Sequence, residues 1–190
     1  MSRLIAVLGL AVLGLVAGLV LGPAAGPGSL PPVTAAPGTV SVATPTGGAA
    51  ARATLPPIPP GYRVQVPRLG IDLGIVEGDI ERDTVQQRTP EGFAFHLPGT
   101  AIPGTGANSF LYAHARRGMF IELWEARVGD EVWISTPDGR ALRYVVSEIH
   151  PRVNPDDTSW TVASPPDRLT LQTSTGPSAG DSRFVVVARP

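Results

Sequence analysis

Residues 131–149 read EVWISTPDGRALRYVVSEI, two runs rich in β-branched and aromatic residues on either side of Pro137-Asp138-Gly139. Apolar residues alternating with polar ones at period two are the signature of a half-buried strand. Asp-Gly accepts the positive φ of a tight hairpin turn, so the stretch predicts two paired strands. Working outward, period-two alternation or a short β-branched, apolar run returns at 62–66, 71–76, 109–113, 168–173 and 183–188. The single credible helical piece is short, Met119 to Arg127. Many short strands separated by turn residues predict an all-β fold, a closed or nearly closed barrel with minor helices.

Composition narrows the chemistry. The 190 residues include no Cys, which excludes disulfides, thiolate metal sites and thiol nucleophiles. All fifteen basic residues are Arg, and the absence of Lys removes phosphate loops of the Walker type, Schiff bases and lysine-assisted serine acylation. A formal net charge of −1 argues against a nucleic-acid partner, since neutralising phosphates requires a basic face.

The chain divides into three parts. From Leu4 to Leu21, eighteen residues carry no polar side chain. As a helix they span about 27 Å, close to the hydrocarbon thickness of a bilayer. The run exceeds a typical signal-peptide core, which favours an uncleaved transmembrane helix over residues 1–21 rather than a cleaved leader. Arg3 precedes it and no charge follows until Arg52, so the expected orientation is N-terminus cytoplasmic and the remainder extracellular. Residues 22–61 hold ten of the twenty-one prolines and no acid, the composition of a flexible, disordered tether. Residues 62–190 contain all sixteen acids and thirteen arginines, and are long enough for one core.

Three histidines occur, His96, His114 and His150. They have none of the close spacing of zinc-binding pairs, and neither a metal nor a cofactor is expected. His96 precedes a Leu-Pro-Gly turn and reads as a solvated loop residue; His150 reads as a structural residue ending a strand. His114 closes an apolar strand and opens a polar loop, the kind of place from which catalytic groups are presented. Ser174 stands at the matching end of 168–173, and Arg183 at the mouth of the last strand. A serine there is ordinarily a turn former, and such an arginine an edge charge.

Taken together, the patches resemble the sortases, membrane-anchored transpeptidases of bacterial surfaces. Residues 66–71, VPRLGI, resemble the opening IPxIGI; residues 97–108, LPGTAIPGTGAN, resemble PGTAxPGxxGN. Tyr112-Ala113-His114 stands at the AGH of the catalytic histidine. Phe120-Ile121-Glu122-Leu123, followed by Val128-Gly129-Asp130-Glu131-Val132, resembles FxxL and GDxI. Residues 169–174, LTLQTS, stand at LTLxTC, and Arg183-Phe184-Val185-Val186 at the RxVV of the catalytic arginine. The resemblance implies an eight-stranded barrel, catalytic His114, Ser174 and Arg183, and substrate contacts around Thr173, Thr170 and Ala113. It also implies a secreted protein's sorting-signal peptide and an amine acceptor as partners.

One departure bears on the chemistry: Ser174 replaces the nucleophilic cysteine. A thiol titrates near 8.5 and imidazole near 6.5, so a modest shift yields a thiolate–imidazolium pair. A serine hydroxyl is too weak an acid for that state and needs a neutral base during attack. Asp156 and Asp157 are the candidates for a carboxylate that orients His114. With Glu148 they also form a loose acidic cluster, too little to decide for calcium. Two functions follow from the resemblance: a weak serine-variant transpeptidase or peptide hydrolase working through an acyl-enzyme, or a catalytically inactive pseudo-sortase that binds peptides.

Overall fold

A computed structural model describes residues 55–190; the expected transmembrane helix and most of the expected tether lie outside the described residues. The strands are β1 (Arg63–Val66), β2 (Ile71–Glu77), β3 (Phe93–His96), β4 (Asn108–Tyr112), β5 (Glu131–Ser135), β6 (Ala141–Val153), β7 (Arg168–Ser174) and β8 (Arg183–Arg189). They close a barrel in the order β1-β2-β3-β4-β7-β8-β6-β5. The fold is the expected all-β eight-stranded barrel. Two neighbouring pairs, β2·β3 and β4·β7, are parallel; the rest are antiparallel. A parallel pair cannot be joined by a hairpin, so each requires a crossover, and these crossovers build the walls of the site.

Period two fills the interior. Ile71, Leu73 and Ile75 of β2 and Leu169 and Leu171 of β7 pack with Val64, Leu111, Ile134 and Val186 in one core. Ile58, assigned to the tether by composition, joins that core, and its N–H donates to Glu77 Oε2 at 2.9 Å. The β1–β2 turn is fastened to the start of β5 by Arg68, whose Nε and Nη2 both donate to the buried Asp130 carboxylate. Those hydrogen bonds hold Asp130 below the ordinary aspartate range.

Several local expectations are corrected. His96 is fully buried on β3, a strand the periodicity did not reveal, where its ring bonds Glu77 Oε2 at 2.8 Å and the Ala101 carbonyl at 3.0 Å. His150 lies inside β6, which runs on to Val153 through two register shifts, one of them accommodating Pro151. The helical piece is a 3-10 turn over Ile121–Glu125.

Asn108 ties the β6–β7 crossover to the barrel. It is fully buried, and its Nδ2 donates to the Trp160 and Val162 carbonyls at 2.8 and 3.2 Å. Its Oδ1 accepts from Thr170 Oγ1 at 2.7 Å. Asn108→Ala orphans these groups and is expected to cost about 2–4 kcal/mol, given ~1–3 kcal/mol per buried polar group left unpaired. Urea unfolding of the full chain checks this. A loss below about 0.5 kcal/mol means the crossover is held by other contacts.

Candidate active site

The site is built by the strand order β4-β7-β8. Tyr112 of β4 pairs in parallel register with Gln172 of β7, and the Ala113 N–H still donates to the Gln172 carbonyl at 3.2 Å. Side chains two apart on a strand share a face. Two residues beyond the Tyr112–Gln172 pair, that face carries His114 on one chain and Ser174 on the other. On the far side of β7, Ser174 is the direct cross-strand partner of Arg183. Three residues distant in sequence are thus placed side by side at one rim of the barrel, with Ser174 in the middle.

They open into a cleft of about 810 Å³. Its walls are the β2–β3 crossover (Asp83, Thr84, Gln87 and Thr89), the turn after His114 with Trp124, the β6–β7 crossover at Pro155-Asp156, and the β7–β8 loop. His114, Ser174 and Arg183 are each half-buried. A second concavity of about 570 Å³, lined by His150, Asn154 and Trp160 among others, includes none of these three.

Arg183 is aimed by main-chain acceptors. Nη1 donates to the Asp181 carbonyl at 2.7 Å and Nη2 to the Ala179 carbonyl at 2.8 Å, while Nη1 stands 3.4 Å from Ser174 Oγ. Burial lowers the Arg183 pKa from its ordinary value, opposed by the charges of Asp181 and Asp156. A guanidinium nevertheless stays charged at every working pH. The β7–β8 loop is closed on itself: Ser178 N–H donates to Asp181 Oδ2 at 2.6 Å, and a Cβ on Gly176 would lie 2.4 Å from the same oxygen. A side chain at 176 would displace the Asp181 carboxylate from that position.

His114 Nε2 lies 2.8 Å from the carbonyl oxygen of Thr89, and no hydrogen bond joins His114 to Ser174 among the described residues. A carbonyl only accepts, so Nε2 carries the proton and the neutral ring keeps its lone pair on Nδ1.

The remaining expected site residues sort differently. Ala113 and Thr173 line the cleft, and Thr173 Oγ1 donates to the Ala113 carbonyl at 2.9 Å, bracing β7 against the residue before His114. Thr170 is fully buried against Asn108 and does not line the cleft. Asp157 does not orient His114: its carboxylate accepts from Ser159 N–H and Trp160 Nε1, each at 3.0 Å. Asp156 lines the cleft. Glu148 is engaged by Arg189 and His150, so the three acids of the expected cluster are separately placed. The Thr89 carbonyl was invisible to sequence reasoning, because a main-chain acceptor has no residue signature. Asp83 and Tyr112 were likewise missed as partners, since nothing in their spacing announces the crossover that joins them.

Comparison with known proteins agrees with this architecture. The family profile described as Sortase domain matches residues 64–190, and the chain belongs to the sortase family. It carries the sortase transpeptidase fold. A lid mutant of sortase A from Corynebacterium diphtheriae is 30% identical over 69% of this chain and 69% of its own, with a TM-score of 0.58. Sortase C-1 from Actinomyces oris is 28% identical over 69% of this chain and 73% of its own, with a TM-score of 0.57. The sortase D5 transpeptidase of Clostridium perfringens is 25% identical over 70% and 81%, with a TM-score of 0.56. The search of curated proteins finds no match.

Proposed function

We propose that this chain is a serine-variant sortase that cleaves a sorting-signal peptide by acyl transfer through Ser174 and passes the acyl group to an amine. The observation that carries the reading is the β4-β7-β8 register, which sets an imidazole and a guanidinium on either side of one hydroxyl. Ser174 Oγ attacks the scissile carbonyl carbon while His114 takes the hydroxyl proton. Arg183 faces the oxygen on which negative charge develops. Collapse of the tetrahedral adduct breaks the C–N bond, and the leaving amine receives the proton from His114. The resulting ester is resolved by the acceptor amine, or by water, which restores the Ser174 hydroxyl. Thr173 and Ala113 form the cleft floor beside the peptide. The apolar run 4–21 anchors the enzyme with its N-terminus in the cytoplasm, and the Pro-rich stretch lets the extracellular barrel reach secreted substrates.

A serine-reactive acyl probe tests this on the full chain. The expected result is one acyl adduct on Ser174 by mass spectrometry, lost in Ser174→Ala and reduced by about 10²–10⁴ in rate in His114→Ala, the range general-base catalysis supplies. No adduct at any pH removes serine acylation. The second reading, a peptide-binding module without turnover, is favoured by the weak nucleophile and by the absence, among the described residues, of a hydrogen bond between His114 and Ser174.

A further inference from the structure

The crossover from β2 to β3, residues 78–92, passes beside His114 and is fastened on both sides of it. At its start, Tyr112 donates its hydroxyl to the Asp83 carboxylate, which also accepts from Arg82 Nε and Nη2. Burial alone would push Asp83 up, but the hydrogen bonds from Arg82 and Tyr112 hold it below the usual carboxylate range. Burial and the Asp83 carboxylate keep the Tyr112 proton in place well beyond the ordinary tyrosine range. Arg82 in turn lies over the Phe95 ring at 5.3 Å, and that ring stacks on Tyr112 at 5.6 Å. Gly78 permits the exit from β2, since a Cβ there would come within 2.2 Å of the Tyr112 hydroxyl. At the far end of the crossover, Glu91 pairs with Arg116. The two fasteners grip the β4 chain at Tyr112 and Arg116, two residues before and two after His114. Between them the Thr89 carbonyl accepts the Nε2 proton of His114.

We propose that this crossover is the orienting member of the catalytic group: Thr89 is a positioning residue whose main-chain carbonyl fixes the His114 tautomer with Nδ1 as the basic nitrogen. In serine hydrolases a buried carboxylate holds the ring in its working tautomer and stabilises the imidazolium. Here a neutral carbonyl performs the first task, and the fasteners at Asp83–Tyr112 and Glu91–Arg116 hold that carbonyl in place. The inference rests on the acyl-enzyme reading only for the role of Nδ1. The tautomer itself is a property of the resting protein.

The test is long-range proton–nitrogen correlation spectroscopy of the ¹⁵N-labelled full chain, with His114 assigned by its loss in His114→Ala. The expected neutral ring is a single tautomer protonated on Nε2. In the double variant Tyr112→Phe and Glu91→Ala, both tautomers appear, and the saturating rate of Ser174 acylation falls roughly tenfold with half-saturation unchanged. That is a fraction of the ~10⁴-fold lost when a triad histidine takes the wrong tautomer. Should the double variant fail to fold, Tyr112→Phe alone, which releases the part-buried Asp83 fastener and leaves only the exposed Glu91–Arg116 pair, carries the same comparison. A wild-type ring that is mixed or protonated on Nδ1, or a loosened variant that keeps both tautomer and rate, overturns the assignment. A fixed tautomer without any Ser174 adduct leaves the positioning role standing and removes the acyl-enzyme; an adduct with mixed tautomers does the reverse.

Discussion

Ser174→Cys is expected to raise cleavage of a threonine-containing sorting peptide by about 10²–10⁴-fold, the range that effective nucleophile activation supplies. The reason lies in what surrounds the position. Arg183 Nη1 stands 3.4 Å from Ser174 Oγ, and a fixed guanidinium at that distance favours an anion. A hydroxyl cannot exploit the guanidinium before attack, because its proton leaves only as the new bond forms. A thiol, starting near 8.5, is drawn toward ionisation and enters the reaction already charged. The position is half-buried and opens on the cleft, so a larger sulfur meets space rather than core. The measurement is kcat/KM for a fluorogenic peptide with the full chain in both forms. A large gain means that the groove, His114 and Arg183 are intact and that the alcohol alone limits turnover. If neither form cleaves while the peptide binds at micromolar affinity, the cleft is a peptide-binding module.

How much of this was readable beforehand depends on whether a residue works through its side chain and its period. β2, β5 and β7 were visible because apolar residues recur at every second position, and β8 because Phe184 to Ala188 form a continuous, buried apolar run. β3 was not: its apolar run, Phe93-Ala94-Phe95, is too short to mark a strand and ends on the polar His96. The polar end of β3 looked like a loop because its partners, Glu77 and Ala101, come from outside it. Thr170 illustrates the converse error. Its motif placed it with the peptide contacts, yet its hydroxyl is spent on Asn108, which anchors the β6–β7 crossover. The grouping of His114, Ser174 and Arg183 followed from strand ends and motif order. The acceptor facing His114 did not, since any residue at position 89 would present the same carbonyl.

Arg183→Ala in the Ser174→Cys background is expected to lower kcat by about 10²–10³ with KM for the peptide changed less than threefold. Removing one well-aimed donor from a developing oxyanion costs that much, because the interaction is formed in the transition state rather than with the bound peptide. The pattern in KM and kcat separates this role from simple peptide binding, which would raise KM and leave kcat in place. Arg183→Lys should rescue little. The wild-type guanidinium is held flat by two carbonyls, Asp181 through Nη1 and Ala179 through Nη2, and only a planar fork reaches both while still facing Ser174. An ammonium is a single point on a flexible stem and gives up one tether or the other. The Lys variant is therefore placed within about tenfold of Ala, well below the Ser174→Cys parent, by the same loss of preorganised donors. A kcat within a factor of about five of the parent in either variant would remove Arg183 from the oxyanion role and leave it as a brace for the β7–β8 loop.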